Sequence, residues 1–439
     1  MRQLTHIMNN LNRFILLFLL IWGGKAISAQ TVFHLEPSQN STLSVMFRGS
    51  FYKTQLDGSG SGTIAVPDTL KPDYATAYGD RKTYTFYLLP GARQEIRENA
   101  DRIISFSGAG KEINEYLNSP ELYSGMNSRM DETTYLNQWK ARTDRFNACL
   151  DSLQAPDGFK NIERKRLHYL SCEMLTRFMV SNQGPFKDEY YEILDSLMVE
   201  DHDAFELSVY RSSFTQWIDI HARKNDKSAS PYSHLMCQLN YALQSIKDSR
   251  LADFIIHQNV YGYVKRYGIQ NTDEAIAIYR DKVTDLKHLT DFDELIGRTM
   301  KLAKGVRAPD FELTDIDGNK VSLSGLAGNY VYIDVWATWC GPCCREMGPL
   351  RELEHKFKDR PIRFVSISID SDESAWREKI KAEHPGGIQL RAGSSTFESD
   401  YNVTFVPRFI LIDPNGYIVD ANMTRPSQPE TSEALDSLM

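Results

Sequence analysis

The stretch Val331-Tyr332-Ile333-Asp334-Val335-Trp336-Ala337-Thr338-Trp339-Cys340-Gly341-Pro342-Cys343-Cys344-Arg345-Glu346 decides how this chain is read. Val331 to Val335 is β-branched or aromatic apart from one Asp, the composition of a buried strand. From Glu346 to Phe357 the apolar residues Met347, Leu350, Leu353 and Phe357 recur at helical spacing. Two cysteines therefore stand where a strand turns into a helix. Pro342 suits the first helical turn, where a missing N–H costs nothing. Free N–H groups and the dipole at a helix N-terminus favour a thiolate over a thiol. A fall in pKa from about 8.5 to about 7 is worth about 2 kcal/mol. Cys340 is expected at the exposed start of the helix, as the attacking thiolate. Cys343, one turn in and on the same face, is expected to close a small disulfide with it and to resolve mixed disulfides.

Trp336–Cys343 behind an Asp-bearing strand resembles the thioredoxin active site. Further matches are Ala308-Pro309-Asp310-Phe311, Asp317-Gly318 before Val321-Ser322-Leu323, and Val406-Pro407 before Phe409–Asp413. From about Gly305 to the end the chain resembles the TlpA/ResA-type thiol-disulfide reductases of bacterial envelopes. The resemblance implies no cofactor other than the redox-active Cys340–Cys343 pair.

It also implies roles for the neighbours. Asp334 matches the buried Asp of thioredoxin. A carboxylate in an apolar strand is costly unless paired or protonated, and burial raises its pKa toward a range suited to proton exchange with Cys343. The alternative is a strand-end Asp facing solvent. Glu346 matches the Glu that ResA-type reductases set beside their cysteines; the alternative is a surface Glu favoured by the helix dipole. The family usually has Pro two residues after this Glu, whereas this chain has Gly348 and then Pro349. Val406-Pro407 matches the cis-proline set against the dithiol, with the Val406 backbone pairing to an extended substrate segment. Trp336 is expected to pack inside. Trp339, Gly341 and Pro342 are expected to border the substrate face. Cys344 points away from Cys343 and reads as a small buried apolar residue.

Gly-Pro between the cysteines resembles reducing thioredoxins, near about -270 mV against about -120 mV for a strong oxidant, a gap of about 7 kcal/mol. Reduction implies protein disulfide substrates and, for an exported protein, a membrane thiol electron donor. Two other readings compete. Peroxidases of the related AhpC/TSA group carry Pro-x-x-x-Thr-x-x-Cys, and Ile333 and Ala337 break that motif. In the other, the first two-thirds capture a partner and redox chemistry is accessory.

A net charge of -8 over 439 residues leaves no basic footprint for nucleic acid. Arg2 and Arg13 precede the apolar Phe14–Trp22, and small residues follow to Ala29. Residues 1–29 thus read as an export signal, which places the cysteines in the periplasm or cell envelope. The apolar run falls short of the about 20 residues of a membrane span, so membrane contact is expected only if this segment is retained.

The fold class expected is multidomain. Residues 30–110 are read as a small antiparallel β-sandwich, 111–300 as one all-helical domain of seven to nine helices, and 301–439 as an α/β thioredoxin fold. In the middle region, Trp139, Tyr169, Phe178 and Trp217 are read as core. Asp201-His202-Asp203 is read as a solvated loop, so no metal site is expected. Cys149, Cys172 and Cys237 are read as buried free thiols, with a Cys149–Cys172 bridge as the alternative.

Overall fold

The computed structural model describes residues 31–34, 42–78, 83–99, 103–119, 122, 126, 129–182, 186–226, 228, 230–383 and 385–438. The export signal expected at 1–29 lies outside them. Two compact units divide the chain, one ending at Gly184 and the other beginning at Pro185.

In the first unit, β1 (Thr31–His34), β4 (Ser61–Ile64), β7 (Gln94–Glu98) and β8 (Ile104–Gly108) form one four-stranded sheet, in the order β4-β1-β7-β8. A second sheet, β3-β2-β5-β6, comprises β2 (Thr42–Phe47), β3 (Ser50–Gln55), β5 (Asp73–Tyr78) and β6 (Thr83–Leu88). Alternating side chains, Leu43, Val45 and Phe47 on β2 and Tyr84, Phe86 and Leu88 on β6, meet Phe33, Ile96 and Phe106 of the first sheet in one core. The sandwich is not wholly antiparallel, because β1 pairs parallel with β7. Between β1 and β7 the chain builds all four strands of the other sheet, sets β4 against one edge of β1, and returns along the opposite edge in the same direction.

Helices α1 (Lys111–Leu117), α2 (Glu132–Ser152) and α3 (Asp157–Asn182) belong to this unit. Their apolar faces bury Ile113, Leu117, Phe146, Leu150, Phe159 and Leu167 against Tyr87 of β6. A fully buried Glu163 sits among them. It accepts two hydrogen bonds from Arg166 at 2.7 and 2.6 Å, one from Tyr116 at 3.0 Å and one from the Tyr74 hydroxyl. Cys149 and Cys172 are free thiols, so the alternative of a bridge is not realised. Cys172 is buried, and burial pushes its thiol up to about 12. Cys149 and Cys237 are only partly buried.

The second unit opens with α4 (Asp188–Leu197), α5 (Ser208–Asn225), α6 (Pro231–Ser245), α7 (Ser249–Tyr267), α8 (Asp273–Lys282) and α9 (Leu286–Met300). The helical stretch read as one domain is therefore shared, α1–α3 with the sandwich and α4–α9 with the thioredoxin-like region. Periodicity shows that a helix has a buried face; it does not show what covers it. Among the described residues no helix is long and apolar enough to cross a membrane.

The thioredoxin-like region is a seven-stranded sheet, β10-β9-β13-β12-β11-β14-β15. Its strands are β9 (Glu312–Asp315), β10 (Lys320–Ser322), β11 (Tyr330–Trp336), β12 (Ile362–Ser368), β13 (Ile388–Arg391), β14 (Arg408–Ile412) and β15 (Ile418–Met423). Central β11 pairs parallel with β12 and antiparallel with β14. Its Val331, Ile333 and Val335 face one core with Phe311, Phe397 and Tyr401. Tyr332 faces the other, against α10 (Gly341–Lys356) and α13 (Pro429–Ser437). Two more helices are α11 (Glu373–Glu383) and the short α12 (Phe397–Asp400). Asp413 to Gly416 form the turn of the final hairpin; the Gly416 N–H donates to Asp413 O at 3.0 Å, and Gly416 takes a φ of 84° that only glycine adopts freely.

Candidate active site

Alternation along β11 places Asp334 and Trp336 on the face that α10 covers. Cys340 is the N-cap of α10, its Sγ accepting from the Cys343 N–H at 3.2 Å. Cys340 and Cys343 form a disulfide, their Cα atoms 5.3 Å apart. One expectation needs correcting. Cys340 is 5% exposed and Cys343 3%, so the first cysteine is nearly as covered as the second. The disulfide turns both sulfurs onto Trp336, Ala337, Met347, Trp376 and Ile380. The open surface at the helix start belongs instead to Trp339, 69% exposed, and to Gly341 and Pro342.

The Val406-Pro407 peptide bond is cis, and half-buried Val406 packs on the cluster that holds both cysteines. Just beyond it, the buried Arg408 donates to Tyr401 O, Asn402 O and Ala421 O at 2.6, 2.7 and 3.1 Å. That fork fixes the segment leading into the proline.

Asp334 is buried, with Ser366 Oγ donating to Oδ2 at 3.4 Å. Burial pushes its pKa up to about 7; the Ser366 bond opposes this, and the charges of Glu346 and Glu354 add to it. Glu346 is also buried, unlike a surface Glu. Its carboxylate accepts from Ser427 N at 3.0 Å and Ser427 Oγ at 2.9 Å, with Arg425 Nη1 at 3.9 Å. Thus Glu346 ties α10 to the segment before α13, and its charge acts on Asp334. Cys344 is half-buried, its Sγ 3.8 Å from Thr338 O.

Several residues escaped the sequence reading. Asp370 is buried behind the Trp336–Cys340 turn and accepts from Thr338 N at 2.9 Å, Thr338 Oγ1 at 2.7 Å and Ser368 Oγ at 2.7 Å. A carboxylate at the end of the strand-like stretch Phe364–Ile369 was a visible signal, close in kind to the one that singled out Asp334. Glu354 lies on the flank of the buried stripe of α10, and burial pushes its pKa up to about 7 against the opposing charge of Arg351. Ser427 carries no signal, since only the fold brings it to Glu346.

Residues 303–438 match the redoxin family. Over 121 residues the chain is 31% identical to the thiol-disulfide oxidoreductase ResA of Bacillus cereus, covering 27% of this chain and 69% of that protein. It is 30% identical over 148 residues to the thioredoxin-like protein YneN of Bacillus subtilis, covering 31% and 80%. A solved thioredoxin domain of a thiol-disulfide oxidoreductase from Bacteroides vulgatus is 28% identical, covering 31% of this chain and 98% of that one at a TM-score of 0.30. With paired cysteines at the head of α10 inside a redoxin domain, the chain belongs to the ResA-like thiol-disulfide oxidoreductases.

Proposed function

We propose that this protein works in the bacterial envelope as a reductase of protein disulfides, cycling Cys340 and Cys343 between dithiol and disulfide. The observation that carries the reading is the Cys340–Cys343 disulfide at the N-terminus of α10. In the reduced enzyme the helix N–H groups and dipole stabilise the Cys340 thiolate. It attacks a substrate disulfide and forms a mixed disulfide with one substrate sulfur. Asp334 takes the proton from Cys343 through water, a role suited to a carboxyl of pKa about 7. The Cys343 thiolate then attacks Cys340 Sγ, reforms the internal disulfide and releases the second substrate thiol. Trp339, Gly341 and Pro342 form the exposed contact surface, and the Val406 backbone pairs with the incoming segment. Glu346 supports the site through its charge on Asp334. A thiol donor at the membrane returns the electrons.

Disulfide reduction of insulin by the reduced enzyme tests this. Cys340→Ser should abolish turnover, and Cys343→Ser should stall as a mixed disulfide detectable by mass spectrometry. Full activity in the Cys340→Ser protein would refute the proposal.

A further inference from the structure

Behind β11, on the α10 side, lies a cavity of about 10 Å³ whose walls include Asp334, Trp336, Glu354, Ser366, Gly386 and Gln389. That is room for about one water molecule, which needs two to four polar partners to reside in a protein interior. Two wall residues offer such partners. Trp336 Nε1 and Gln389 Oε1 are buried with no hydrogen-bond partner among the described residues, although buried polar atoms are as a rule paired. Glu354 reaches this wall because glycines face it. A β-carbon on Gly386 would overlap Glu354 Oε2, and one on Gly387 would lie 2.6 Å from Oε1. The carboxylate is thus seated against bare backbone at the rim.

We propose that Glu354 is the second station of a proton relay, in which a water held by Asp334, Trp336 Nε1 and Gln389 Oε1 passes the proton of Cys343 from Asp334 to Glu354 and so to solvent. This deepens the reductase reading above and rests on it for the first transfer. The Cys343 thiol gives its proton through water to the Asp334 carboxylate. The electron pair left on sulfur forms the bond to Cys340 Sγ and expels the substrate thiolate, which takes a proton from solvent. Neutral Asp334 then hands its proton through the water to the Glu354 carboxylate, which releases it. The dithiol loses two electrons and the substrate disulfide gains two. The two carboxyls have matched proton affinities, so the transfer runs in either direction with little driving force needed. Tyr332 on β11 and Glu346 and Glu354 on α10 face Asp334; β12 adds Ser366 and the 386–389 segment adds Gln389, while Arg351 faces Glu354.

The test uses the full chain loaded at Cys340 with thionitrobenzoate, whose release reports resolution by Cys343. Glu354→Gln should slow release at pH 7 by about threefold to tenfold. It should also move the Asp334 midpoint, read by carboxyl carbon NMR, down by about one pH unit, because a like charge is removed. Gly386→Ala keeps the carboxylate but displaces it, and should show the same slow release. Wild-type release in Glu354→Gln, with Asp334→Asn slow, would overturn the relay alone, whether or not the Asp334 midpoint moved. Wild-type release in Asp334→Asn would overturn the relay together with the reading beneath it.

Discussion

Asp334 is held in a strand between apolar neighbours with one weak hydrogen bond, so its ionised form is disfavoured in the folded protein. Folding raises its pKa from an ordinary 3.8 to about 7, and the folded state therefore binds the proton more tightly than the unfolded one. By linkage the contribution of Asp334 to stability is greatest below about pH 4, falls as pH rises from there to about 7, and is level above that. The gap corresponds to about 4 kcal/mol as an upper bound. Asp334→Asn should raise the urea midpoint at pH 8 and change it far less at pH 4, which urea melts at the two pH values would measure. An equal gain at both would contradict the burial argument. Asp334 was legible in the sequence because an acid inside an apolar run is conspicuous. Glu354 was not, because an acid on a helix flank is ordinary until the fold seats it beside glycines.

The turn between β11 and α10 is fixed from behind. Asp370, at the end of neighbouring β12, takes both Thr338 donors and the Ser368 hydroxyl, so two adjacent strands and the helix start share one buried carboxylate. Replacing it by Asn leaves a buried donor facing donors, which costs about 1–3 kcal/mol. Asp370→Asn should reduce stability by that amount and slow disulfide reduction, whereas Ser427→Ala, on the other side of α10, should reduce stability by about 1 kcal/mol through the Glu346 contact. Calorimetry of the oxidised proteins checks both. At this scale β11, β12, β14, α10, α11 and α13 were legible from period and composition. The edge strand β10, the short β13 and four-residue α12 were not, because three or four residues carry too little periodicity.

At the scale of the whole molecule, the first unit carries a buried charge cluster of its own around Glu163. Arg166, Tyr116 and Tyr74, which donate to Glu163, all lie in the first unit, and a buried carboxylate–Arg pair broken on one side costs about 3–5 kcal/mol. Arg166→Met should therefore destabilise the first unit by that amount while the redox potential of Cys340–Cys343 stays at its wild-type value. Thermal unfolding and glutathione titration would test the two halves of that statement. By itself the sequence determined the order of textures, β then helix then α/β, and the identity of the dithiol, because period, turn residues and the Cys340–Cys343 spacing are local properties. Only the tertiary structure decided that β1 pairs parallel with β7, that the helices divide between two units, and that Cys340 is covered. The reason is the same in each case: a residue's neighbours along the chain set its conformation, but what covers its exposed side is set by segments tens of residues away.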